Sequence, residues 1–315
     1  MKIPVLYIVI PCYNEEEALP ITAARMAELL DEMTRKGLID EKSRVTLVDD
    51  GSRDRTWEVI CALNAKDKRF EGVKLAHNAG HMNALWAGMR MVCDSCDALV
   101  TIDADLQDDV NAIYGFLEKY REGCDVVYGV RNDRSSDTAF KRSTAQGFYK
   151  LMKKLGVEMV YNAADYRLLS RRAVEALLSF GEVNMFLRGM VPLLGFKTAE
   201  VYYERGERVA GESKYPLKKM VAFAVEGITS FSNKPIRLVT LLGFVCALLG
   251  AAMAVYVIVS LVAGHSVAGW ASTIMSIWLL GGLQLIALGM IGEYVGKIYM
   301  ETKRRPKFIL EEYRK

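Results

Sequence analysis

The chain has 315 residues, 51% of them apolar, with 41 Lys and Arg against 38 Asp and Glu and only 7 Pro. That composition excludes a disordered tail protein, a collagen-like fibre and a disulfide-built mini-scaffold. Charge is unevenly placed: residues 1–130 carry an excess of acid, residues 131–237 an excess of base, and residues 238–292 no Asp, Glu, Lys or Arg at all.

In chain order, residues 5–10 are an apolar run cut short by Pro11 and the polar Asn14-Glu15-Glu16-Glu17. With no basic stretch and no small-residue cleavage site, this start reads as a buried first strand and not as a signal peptide. A helix is expected over 15–36, a strand over 44–48, a helix over 54–66, a strand over 73–76 and a helix over 81–92. A strand over 98–102, a helix over 110–121 and a strand over 125–128 follow. Short apolar runs, each followed by a helix, predict a mostly parallel sheet covered on both faces. Ligands of such sheets lie beyond the carboxyl ends of the strands, which singles out loops 11–15, 49–52, 77–81 and 103–107. There is no Gly-x-Gly-x-x-Gly and no P-loop, which argues against a standard dinucleotide or P-loop site. The Cys93–Cys96 CxxC has no second pair, and the chain has 3 His, so neither a zinc site nor a disulfide framework is expected.

The four loops hold the chemistry. Pro11-Cys12-Tyr13-Asn14-Glu15 offers an aromatic face and polar groups at a helix start. Asp49-Asp50-Gly51-Ser52 is acidic and tightly turned. In His77-Asn78-Ala79-Gly80 the glycine lets backbone approach a ligand at a helix N-terminus. Asp103-Ala104-Asp105-Leu106-Gln107-Asp108-Asp109 puts alternate carboxylates after an apolar strand, and these suit a hard cation, Mg²⁺ or Mn²⁺, carrying a diphosphate. His77, His81 and His265 have no partner motif and read as loop, cap and connector residues.

Residues 216–231 mix Lys218 and Lys219 with apolar residues and suggest an interfacial amphipathic helix. The uncharged window then splits into two apolar blocks, about 238–264 and 267–292. Each is long enough for the roughly 30 Å hydrocarbon layer at about 1.5 Å per helical residue. Lys234, Arg237, Lys297, Lys303, Arg304, Arg305 and Lys307 flank them, which by the positive-inside rule places both flanks in the cytosol. The expectation is a multi-pass inner-membrane protein hung from a two-helix hairpin, with a cytosolic tail over 298–315 whose residues 303–315 are solvated, in contact with headgroups or in contact with a neighbouring subunit.

PCYNEEE, VDDGSRDRT, NAGHMNALWAGM and DADLQDD resemble the motifs of family 2 inverting glycosyltransferases, whose nucleotide-sugar domain is the GT-A fold. Gly129-Val130-Arg131, the run from Asn162 to Leu169, and Arg205-Gly206-Glu207-Arg208 leading to Gly211-Glu212-Ser213-Lys214-Tyr215 are similar to polyprenyl-phosphate glycosyltransferases. That group includes dolichyl-phosphate mannose synthases and the bacterial undecaprenyl-phosphate glucosyltransferase-like branch. The resemblance covers the whole chain and implies an α/β GT-A domain over 1–215, an interfacial helix over 216–233 and a transmembrane hairpin over 234–297.

The same resemblance implies that Pro11, Tyr13, Glu15, Val48 and Asp50 hold base and ribose. Asp103, Ala104, Asp105, Gln107 and Arg131 fall at the diphosphate, with Asp105, Gln107 and Asp103 at the metal. Arg208, Ser213 and Lys214 fall at the acceptor phosphate, and Asp165, with Asp103, at the chemistry. An ion pair with Arg167 or Arg171 is the alternative role for Asp165. The implied reaction moves one sugar, glucose favoured, from a UDP-sugar or other nucleotide-sugar donor to polyprenyl phosphate. The resemblance implies no nucleic-acid partner and a homo-oligomer, a tetramer being one form. The Gln-x-x-Arg-Trp of processive synthases is absent. A processive synthase, a glycolipid synthase with an alcohol acceptor and a non-catalytic nucleotide-sugar scaffold are the competing readings.

Overall fold

The structure, a computed structural model, describes residues 3–132, 163–183, 186–204, 206, 234–263 and 269–315. The chain divides into two units. The first comprises residues 1–150, 158–217 and 305–315, the second residues 151–157 and 218–304.

The first unit is built on one sheet. Its strands are β1 (Leu6–Cys12), β2 (Arg44–Asp49), β3 (Phe70–Leu75), β4 (Ala98–Thr101), β5 (Val126–Arg131), β6 (Ala163–Ser170), β7 (Thr198–Tyr203) and β8 (Leu310–Arg314). Their order is β7-β5-β6-β4-β1-β2-β3-β8. Neighbours from β4 to β3 are parallel, as is the β5–β7 pair, whereas β6 runs antiparallel to both β4 and β5, and β8 antiparallel to β3. The sheet is therefore mixed, an α/β sheet of the GT-A, Rossmann-like kind. β1 is buried along its whole length, which is why its sequence reads as an unbroken apolar run.

Helices α1 (Leu19–Arg35), α2 (Thr56–Lys66), α3 (His81–Val92) and α4 (Ala112–Arg121) connect the early strands. In α1 the buried residues Leu19, Thr22, Ala23, Met26, Leu29, Leu30 and Met33 recur at three- and four-residue steps and form one core-facing stripe. Helix α3 lies close on the sheet: a Cβ at Gly88 would come within 2.4 Å of the Val9 side chain. After β6, Ser170 caps α5 (Arg171–Leu178), its Oγ accepting from the Ala173 amide. Helix α6 (Leu187–Leu193) leads into β7. All six cysteines are free, and four are buried.

The described part of the second unit is two long helices, α7 (Lys234–Val262) and α8 (Trp270–Lys303). The sequence reading of a membrane-spanning hairpin in a multi-pass inner-membrane protein is corrected here. Among the described residues, no helix is long and apolar enough to cross a membrane. The helices do not coincide with the uncharged window: α7 opens at Lys234 and Arg237, and α8 runs on through Glu293, Lys297, Glu301 and Lys303. The interfacial helix expected over 216–233 lies outside the described residues. Within the tail, residues 310–314 form the edge strand β8, with its residues exposed or half-exposed.

Candidate active site

Three of the four loops at the carboxyl ends of the parallel strands are stitched together by hydrogen bonds. The Asn14 amide donates to Ser52 Oγ (3.0 Å), the Glu15 amide to Thr56 Oγ1 (2.9 Å) and the Arg53 amide to Asn14 Oδ1 (2.9 Å). The Asp50 carboxylate accepts from the amides of Ala79 (2.7 Å) and Gly80 (3.0 Å). Its burial raises its pKa, while the two amides oppose that shift. Gly51 has φ +64°, and a Cβ there would sit 2.5 Å from the His77 carbonyl carbon, so only glycine fits where the second and third loops cross.

Together the loops enclose a cleft of about 610 Å³, within the usual range for small-molecule sites. Pro11, Tyr13, Glu15, Asp50, Asp103, Ala104 and Asp105 all line it. Val48 is fully buried in β2, and Gln107 borders a separate hollow with Asp108. Arg208, Ser213 and Lys214 lie outside the described residues.

Asp165 arrives by topology. Because β6 runs antiparallel to β4, with Thr101 opposite Arg167, the start of β6 lies at the carboxyl end of β4, beside the Asp103 loop. The Thr101 hydroxyl donates to the Asp165 carbonyl (2.6 Å) and fixes that alignment. The Asp165 carboxylate bridges two guanidinium groups, Arg167 Nη2 at 2.5 Å and Arg188 Nη2 at 2.8 Å. Burial alone would raise its pKa, but Arg188 and Arg167 outweigh burial and hold it well below the usual carboxylate range. The ion pair with Arg167 is thus present. Arg188 was not singled out from sequence, where no motif marks it. The only hint was that a buried carboxylate between strands needs strong partners.

Asp103 behaves in the opposite way. Loss of solvent pushes its pKa up to about 6; His81 opposes this, and the neighbouring charges of Asp165, Asp108 and Asp105 add to it. His81 Nε2 stands 3.6 Å from Asp103 Oδ1 and borders the cleft, so the sequence reading of His81 as a mere cap understates it. Arg131, expected at a phosphate, is paired with Asp108, with Nη2 at 3.0 Å. The Tyr203 hydroxyl joins them at 2.5 Å from Asp108. Tyr166 donates to the Asp109 carbonyl (2.9 Å), and the Gly206 amide to the Gln107 carbonyl (2.8 Å). The acidic loop is therefore clamped from behind by β5, β6 and β7.

Comparison with known proteins follows this geometry. Residues 7–178 match the family model described as Glycosyl transferase family 2. An uncharacterized glycosyltransferase of Bacillus subtilis (strain 168), YkoT, is 53% identical over 98% of this chain and 91% of its own length. The bactoprenol glucosyl transferase of Shigella phage SfV is 39% identical over 96% of this chain and 97% of its own. A prophage bactoprenol glucosyl transferase homolog of Escherichia coli (strain K12) is 38% identical over 98% and 99%. Among solved structures, glucosyl-3-phosphoglycerate synthase from Mycobacterium tuberculosis shares 18% identity with a TM-score of 0.45, over 72% of this chain and 79% of that one. A mixed sheet with an acid-lined cleft beyond its parallel strands, and a family match over more than half the length, lead to one conclusion: this chain is a glycosyltransferase and belongs to glycosyltransferase family 2.

Proposed function

We propose that the protein transfers a single sugar, with inversion, from a nucleotide-diphosphate sugar to polyprenyl phosphate, with UDP-glucose as the favoured donor. The observation that carries this reading is the convergence of Tyr13, Asp50, Asp103 and Asp105 on one cleft, in a chain whose close relatives include bactoprenol glucosyl transferases. Base and ribose would lie against Pro11, Tyr13, Glu15 and Asp50, over Val48, and the diphosphate toward Asp103, Ala104 and Asp105.

The same donor set fits a divalent cation. Asp103, Asp105 and Gln107 offer hard oxygens; loss of solvent is the main cause of the raised Asp103 pKa, and the charges of Asp165, Asp108 and Asp105 that add to it are ones a cation would offset. Among the described residues, no three His, Cys, Asp or Glu side chains are grouped to hold an ion unaided, so diphosphate and water would complete its shell. Mg²⁺ or Mn²⁺ bound there would neutralise charge building on the leaving diphosphate.

A phosphomonoester acceptor, with a second pKa of about 6, is already largely anionic near neutral pH and has little proton to surrender. Asp165, held well below the usual range, is a weak base in any case. Its work is to hold Arg167 and Arg188 at the edge of the acid cluster, or to orient a sugar hydroxyl. This disfavours an alcohol acceptor, which would need a strong general base. Asp165→Asn should therefore keep the wild-type shape of the pH–rate profile at a reduced rate. Loss of an ionisation near neutral pH would defeat the orienting role. The function itself is tested with purified protein, Mn²⁺ and undecaprenyl phosphate, offered a panel of radiolabelled nucleotide sugars. A lipid-extractable product from UDP-glucose is expected, and no product from any donor overturns the assignment.

A further inference from the structure

The segment after α8 grips the chain on both sides of loop 77–81. On one side, β8 pairs with β3 up to Leu310 opposite Leu75, and the Ala76 amide donates to the Ile309 carbonyl (2.9 Å), one residue before the loop. On the other side, the Lys307 ammonium lies 3.5 Å from the centroid of the Trp86 ring in α3, the helix that begins at His81. The same ammonium donates to the Phe180 carbonyl (3.2 Å).

The position of β8 is specified by a buried carboxylate. Glu71, 5% exposed, accepts from the hydroxyls of Tyr7 (3.3 Å) and Tyr313 (2.8 Å). A one-residue slip of β8 would turn Tyr313 to the other face and take a hydrogen bond from Glu71. An ordinary edge-covering strand needs neither this anchor nor a lysine reaching to a helix outside its own ladder.

We propose that residues 307–314 position loop 77–81 for donor binding, with Lys307 and Tyr313 as positioning residues; this rests on reading the cleft as the donor site. The loop presents the Ala79 and Gly80 amides to Asp50 and sets where His81 enters the cleft. Releasing the brace lets these groups drift apart while the acidic loop, clamped by other strands, stays in place.

The test uses the full chain. Lys307→Ala should speed amide exchange at residues 77–81 and leave residues 98–101 as in the wild type. It should also weaken UDP-glucose binding roughly threefold to tenfold, the loss of one cation–π contact, with kcat near the wild-type value. Lys307→Arg, which keeps the cation over the ring, should restore both. Tyr313→Phe should act in the same direction and carries the test if Lys307→Ala does not fold. Unchanged exchange at 77–81, or an equal quickening across the whole sheet, overturns the proposal. Faster exchange confined to the loop, with unchanged donor affinity, supports the brace and counts against the donor reading of the cleft.

Discussion

The two halves of the sheet contribute to the site in different ways. In the parallel half, β3-β2-β1-β4, every strand ends at the cleft, and its loop delivers polar groups there by backbone direction alone. In the other half, β6 enters from the opposite direction and brings its first residues, Asp165 among them, to the end of β4. In the parallel half Asp103 and Asp105 line the cleft, while Asp50 is held by the Ala79 and Gly80 amides. The other half supplies counter-groups: Arg167 and Arg188 to its own Asp165, and Arg131 with the Tyr203 hydroxyl to Asp108 of the loop after β4. The first half is built to receive charge and the second to hold the first still.

The sharpest way to break this contrast is Asp165→Asn. It leaves two guanidinium groups, one of them buried, without their shared anion, and should cost about 3–5 kcal/mol in urea unfolding. Asp165 is depressed in the folded state, so its contribution is complete above the unfolded carboxylate value of about 3.9. That contribution is lost as pH falls below this value toward the lower folded pKa. The gap between wild type and mutant should accordingly narrow in acid. A gap independent of pH would assign the effect to packing.

Asp105→Ala, in the parallel half, should leave unfolding nearly unchanged while lowering kcat by about 10²–10³-fold. Donor binding measured by calorimetry should survive, and a variant that turns over normally would remove the acidic loop from the chemistry. Gly51→Ala forces a Cβ against the His77 backbone at positive φ, a strain of about 1–3 kcal/mol visible as a lower Tm. The smallest effect is expected from Tyr203→Phe. Asp108 keeps Arg131 but loses one donor, at about 1.5 kcal/mol, and the readout is a modest Tm shift with the donor KM little moved.

Much of the parallel half was legible in the sequence. Helix 81–92 and the strands near 44–48 and 98–102 fall where periodicity placed them, because each is a short apolar run ended by a loop. The cleft-lining residues Tyr13, Asp50 and Asp105 followed from the rule about strand ends. The antiparallel half was harder to read. Residues 163–170 were noticed as a motif and not as a strand, since Asp165 and Arg167 interrupt the apolar pattern for the sake of each other. Nothing local shows that Asp108, 23 residues earlier, is a partner of Arg131. The tail was read as solvated or headgroup-contacting, and its strand was not legible because Glu311, Glu312 and Arg314 interrupt any apolar alternation on an edge strand. What sequence could not supply was Glu71, waiting more than 200 residues upstream for Tyr313.

The insertion of β6 between β4 and β5 has a consequence for how the molecule assembles. Among the described residues, β6 is the only strand that joins the two halves: β4 otherwise pairs with β1, and β5 with β7. A nascent chain ending before residue 163 would have the donor loops, yet β5 would have no neighbour and β4 an open edge. Long-range pairing of this kind forms late and slowly, so the keystone of the sheet and the Asp165 carboxylate arrive in one step. Partial synthesis would leave a species prone to stick to others through its unpaired edges.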